Sequence, residues 1–86
     1  SRTVPIDWQG PPEPILKTLA DLTDYEISFV GKKYPLEPNL VIEGSDRTNI
    51  KNYIDEVERQ ANNDGYIKNI KILEDIKMIV VYYQEH

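Results

Sequence analysis

The chain has 86 residues, 40% hydrophobic and 29% charged, with a formal net charge of −5 and no cysteine. That length holds one domain with one economical core, and the composition is neither poor enough in apolar residues nor charged enough to stay unfolded. Disulfide staples and thiolate metal sites are excluded, the Lys and Arg residues are single apart from Lys32-Lys33 and form no stripe for a nucleic-acid backbone, and no run approaches the about 18 apolar residues of a membrane span.

Residues 1–86 are therefore expected to form a single domain, and because the first residue is Ser1 rather than Met, a piece of a longer chain. The segment Thr3-Val4-Pro5-Ile6-Asp7-Trp8 alternates loosely and reads as a short strand, held to a sheet edge because Pro5 cannot donate a ladder hydrogen bond. Gly10-Pro11-Pro12 breaks the chain and opens a helix, since proline is tolerated in a first turn. Ile15, Leu16, Leu19, Ala20 and Leu22 make one apolar stripe, and Thr23-Asp24 closes it. Tyr25, Ile27 and Phe29 alternate with Glu26 and Ser28, which predicts a strand ending at Gly31. Lys32 to Asn39, with Pro35 and Pro38, reads as a stiff loop, and Leu40-Val41-Ile42 as a short strand covered on both faces.

Capping residues lie within Gly44-Ser45-Asp46-Arg47-Thr48, and Ile50, Tyr53, Ile54, Val57 and Ala61 then mark a second amphipathic helix that ends at Asn62-Asn63-Asp64-Gly65. Ile70 and Ile72 alternate with polar residues, and the run from Ile76 to Tyr83 is rich in β-branched and aromatic residues, so the pair predicts a terminal hairpin. The order is β-α-β-β-α-β-β, an α+β domain.

Chemistry is hard to seat on these elements. The single histidine, His86, is the last residue and reads as frayed or tag-derived, a poor general base. Asp21 with Asp24, and Asp55 with Glu58, stand three apart on helix surfaces, but they lie off the apolar stripes and make no calcium loop, so solvated faces explain them. The glycines are isolated at element boundaries and make no phosphate loop. No catalytic group, cofactor or metal is expected. The element order also resembles RNA-binding sheets, but Glu26 and Ser28 are not stacking aromatics and the acidic charge opposes RNA. What remains is binding surface: Asp7 with Trp8, Lys32 with Lys33, and the tyrosines Tyr82 and Tyr83, of types that anchor interfaces. Against this, a lone Trp in a small domain is commonly core, and one of two adjacent strand tyrosines must face inward.

The stretch Ile6-Asp7-Trp8-Gln9-Gly10-Pro11-Pro12-Glu13-Pro14, followed by Leu19-Ala20-Asp21-Leu22-Thr23-Asp24-Tyr25, Phe29-Val30-Gly31-Lys32 and Leu40-Val41-Ile42, resembles the DotD/TraH family of type IVB secretion and conjugation lipoproteins. Asp24 and Val30 stand where that pattern has Gly and Leu. The resemblance implies a fold like the N-terminal (N0) domain of secretins, also found as the signalling domain of TonB-dependent receptors, with two helices sandwiched between a two-stranded and a three-stranded sheet. It also implies a periplasmic domain attached to the outer membrane through an upstream lipidated cysteine. The implied role is non-enzymatic assembly of the outer-membrane core complex, with DotH-type and DotC-type proteins as partners. A receptor signalling domain or the first domain of a true secretin is the alternative, and the residues upstream of Ser1 would separate these.

Overall fold

The proline pair after Gly10 sets where the first helix can begin. In a computed structural model of the chain, which describes residues 5–45 and 48–86, the strand β1 (Trp8–Gly10) runs into the helix α1 (Pro12–Thr23). Pro11 takes the extended N-cap conformation with φ −68° and ψ 163°, and Pro12 opens the first turn, where a missing N–H loses no bond. Ile15, Leu16, Leu19 and Ala20 are buried as the stripe requires. The helix stops at Asp24, which is left-handed at φ 58°; its N–H reaches the Asp21 carbonyl and the Tyr25 N–H the Ala20 carbonyl.

The strands β2 (Glu26–Val30) and β3 (Leu40–Ile42) flank the proline loop, and α2 (Ile50–Asn63) follows. Asn49 caps α2, its side-chain oxygen accepting the Asn52 N–H at 2.9 Å. The cap therefore falls one residue beyond the stretch expected to supply it, of which Asp46 and Arg47 lie outside the described residues. All five residues of the predicted apolar face, Ile50, Tyr53, Ile54, Val57 and Ala61, are buried. Past the helix, Gly65 supplies the positive φ of 69° that the exit needs.

The chain ends in β4 (Ile67–Leu73), a 3-10 turn (Glu74–Ile76) and β5 (Met78–Tyr83). Two sheets result: β1 pairs antiparallel with β3, while β5 lies between β2, to which it is parallel, and β4, to which it is antiparallel. The inward faces of both sheets meet the helices, so that Leu16, Leu19, Leu40, Val57, Ile67, Ile79 and Val81 share one core. The α+β layout of two helices with a two-stranded and a three-stranded sheet is the one expected from the resemblance.

Three local expectations are corrected. The first strand is Trp8–Gly10 rather than Thr3 to Trp8, because its length is set by its three-residue partner β3; Thr3 and Val4 lie outside the described residues. The strand β3 is covered on one face only, with Leu40 and Ile42 buried and Val41 51% exposed. Ile76 belongs to the turn, where Lys77 at φ 51° reverses the chain and leaves the isoleucine 64% exposed.

Candidate docking surfaces

The residues singled out as partner-docking lie in separate places. Asp7 and Trp8 sit on the two-stranded sheet, where their polar groups are already used. The Asp7 carboxylate accepts the Gly44 N–H at 2.9 Å, extending the β1–β3 ladder by a side chain. The Trp8 indole N–H donates to the Pro11 carbonyl at 2.8 Å, folding the ring over Gly10, where an added Cβ would stand 2.9 Å from the indole. Gly44 is tighter still: a Cβ there would lie 2.3 Å from the Ile6 nitrogen and 2.6 Å from the Tyr53 hydroxyl, which accepts the Ile6 N–H. The Asp-Trp-x-Gly-Pro opening is thus a brace for the start of α1.

Lys32 and Lys33 are exposed in the proline loop, Lys33 bridging to Glu37 at 2.8 Å. They flank a cleft of about 480 Å³ closed on the other side by Gln84, Glu85 and His86. His86 is not frayed: its ring lies 4.3 Å from that of Tyr34 and its Nε2 is 3.0 Å from the Gly65 carbonyl. The adjacent tyrosines of β5 divide as alternation demands. Tyr82 faces outward under the Lys71 ammonium, 5.5 Å from the ring centroid, whereas Tyr83 is buried, stacked on Phe29 and set edge-on to Tyr66. Tyr83 therefore contributes to the core and not to a surface.

Sequence reasoning missed Glu13, whose Oε2 accepts two hydroxyl protons, from Tyr66 at 2.5 Å and Tyr83 at 2.8 Å. Burial first, and the hydrogen bond each donates to Glu13 second, raise the pKa of both phenols well above the usual value. This cluster ties the first turn of α1 to the ends of β4 and β5. Only the presence of Glu in a first turn was visible beforehand.

Also missed were the polar side chains of α2 that close strand edges. Gln60 mimics a neighbouring strand: its Oε1 accepts the Val41 N–H at 3.0 Å and its Nε2 donates to the Val41 carbonyl at 2.8 Å. Glu56 holds that amide in place by accepting a second proton from Nε2 at 2.7 Å, with Arg59 bridging to the same carboxylate. On the other side of the helix Glu58 accepts the Ile70 N–H at 2.7 Å, and Asn62 donates to the Ile67 and Lys68 carbonyls at the bulge in β4. Unpaired strand edges invite unwanted pairing, and here one helix caps the outer edges of two strands in different sheets. Because Val41 spends its backbone groups on Gln60, the β1–β3 ladder runs through Trp8–Ile42 and Gly10–Leu40, which turns the Gln9 N–H and C=O to the open side of β1.

Glu58 is committed to Ile70, Asp24 ends a helix, and among the described residues no group of three His, Cys, Asp or Glu side chains is placed to hold a metal. Polar side chains here close strand edges and brace the core of an α+β domain. The family follows from comparison: the family model described as DotD protein matches residues 1–83, and the chain belongs to that family. Membership makes it a component related to type IV secretion systems. No curated protein matches the chain. Among the described residues no helix is long and apolar enough to cross a membrane.

Proposed function

We propose that this domain is a non-enzymatic assembly module of the outer-membrane core complex of a type IVB secretion or conjugative transfer system. It works in the periplasm, tethered to the outer membrane by a lipidated segment upstream of residue 1, and docks against ring-forming subunits of the DotH and DotC types. The observation that carries the reading is the selective capping of edges. Gln60 closes β3, and Glu58 and Asn62 close the first part of β4, while among the described residues the Gln9 edge of β1 is left open next to the Asp7–Trp8 brace. An edge kept open beside a sealed edge of the same sheet suits strand addition by a partner, with affinity from main-chain bonds and selectivity from neighbouring side chains. The Lys32–Tyr34 loop with the cleft beside His86 supplies a second, polar contact.

Deleting the domain from the full-length protein in its own cell tests this. The reading predicts that the ring subunits no longer co-purify as one outer-membrane complex and that transfer fails. An intact, co-purifying complex lacking this domain would contradict it.

A further inference from the structure

Among the described residues a second strand edge is open, that of β2, and its groups can be assigned. The Glu26 N–H donates to the Lys77 carbonyl at 3.0 Å, which fixes the parallel ladder so that Glu26, Ser28 and Val30 bond to β5. The N–H and C=O groups of Ile27 and Phe29 must then point away from the sheet. The assignment is consistent across the sheet, because the same alternation makes Ile70 an outward residue of β4, and its N–H is the one taken by Glu58. Among the described residues no α2 side chain is hydrogen-bonded to the β2 backbone, and the Lys17 ammonium of α1 lies over the strand, 5.9 Å from the Phe29 ring centroid.

This edge is bipolar. Exposed acids, Asp24 and Glu26, stand at its start, and exposed Lys32 follows its end. A strand with opposite charges at its two ends is complementary to itself when reversed, which favours a second copy of the chain over a uniformly charged segment as occupant. We propose that two copies pair antiparallel through β2 about a two-fold axis at Ser28. In this register Ile27 of each copy faces Phe29 of the other, both outward-pointing residues, and each pair exchanges both N–H···O bonds. Glu26 falls opposite Val30, and Asp24 and Lys32, which lie just outside the two ends of the strand, come near the opposite charge of the other copy. The two three-stranded sheets join into one continuous sheet, and the capped β4 strands become its outer edges. The interface is an edge contact of small area, so the dimer is weak and forms where copies are concentrated.

Sedimentation and amide exchange of the chain over a concentration series up to about 1 mM test the pairing. The expected result is a reversible monomer–dimer equilibrium in which the Ile27 and Phe29 amides gain protection with concentration while the Gln9 amide does not. Lys32→Glu and Glu26→Lys change exposed residues and leave the folded circular dichroism unchanged. Each variant alone should weaken the dimer at least about tenfold, and an equimolar mixture of the two should recover most of it, because position 26 of each copy then meets the opposite charge at position 32 of the other, one Asp24 alone keeping a like-charged neighbour. A chain that stays monomeric throughout, a dimer whose protection lies at Gln9 or elsewhere, or charge variants that pair as well as the parent would each overturn the proposal.

Discussion

Glu13 shows how one carboxylate can organise one end of a small domain. Its Oε2 collects the hydroxyl protons of Tyr66 and Tyr83, residues separated from it by 53 and 70 positions. Both phenols have their pKa raised in the folded state, above an unfolded value of about 10. The folded form therefore holds these protons more tightly, and the stability they contribute is present below about pH 10 and lost as pH rises above it. Urea unfolding at increasing alkaline pH should show this decline, and in the Tyr66→Phe/Tyr83→Phe variant the decline should be shallower. A decline of equal steepness in both would mean that the cluster is not its source. Gly44 gives a second residue-scale expectation. A methyl group at 2.3 Å from the Ile6 nitrogen cannot be accommodated without moving backbone, so Gly44→Ala should destabilise by about 1–3 kcal/mol in denaturant titration. Neither residue announced itself in the sequence. A Glu in a first helical turn is ordinary, and a glycine before a helix reads as a turn, because partners so far away along the chain leave no local signature.

At the scale of elements, the helices were legible and their polar faces were not. The stripe Ile50, Tyr53, Ile54, Val57, Ala61 has helical spacing, and all five residues are buried. Gln60, Glu58 and Asn62 share that helix and look like solvated surface, yet each closes a strand edge, a fact that depends on which strands lie beside the helix. Gln60→Ala should lower stability by about 1–2 kcal/mol, the worth of a pair of partly exposed backbone bonds, and should speed exchange of the Val41 amide. Unchanged Val41 exchange would show that the edge is not sealed by Gln60. At the end of α1, Asp24 occupies a left-handed position that glycine takes without a side-chain penalty. Asp24→Gly should therefore raise the unfolding midpoint by an amount equivalent to about 0.5–1 kcal/mol.

For the whole molecule, element order and fold class followed from patterning, but the arrangement that matters for docking did not. Nothing in the run from Ile76 to Tyr83 states that β5 is central, flanked by a parallel β2 and an antiparallel β4; that comes from the packing of all three strands on the helices. The centrality of β5 places Tyr83 in the core, and it also decides which backbone groups of β2 and β4 face outward. The acidic balance and the missing Cys and Gly loops gave no reaction centre to expect, and the proposed docking surface rests on telling capped from open edges among the described residues. The same distinction yields the most direct test. A soluble outer-membrane core subunit titrated into the isotopically labelled chain should perturb the amides of Gln9, Lys32, Tyr34 and His86. Those of Val41 and Ile70, already donated to Gln60 and Glu58, should stay in place. The contradicting result is a silent spectrum at saturating partner, or a response centred on Val41 and Ile70.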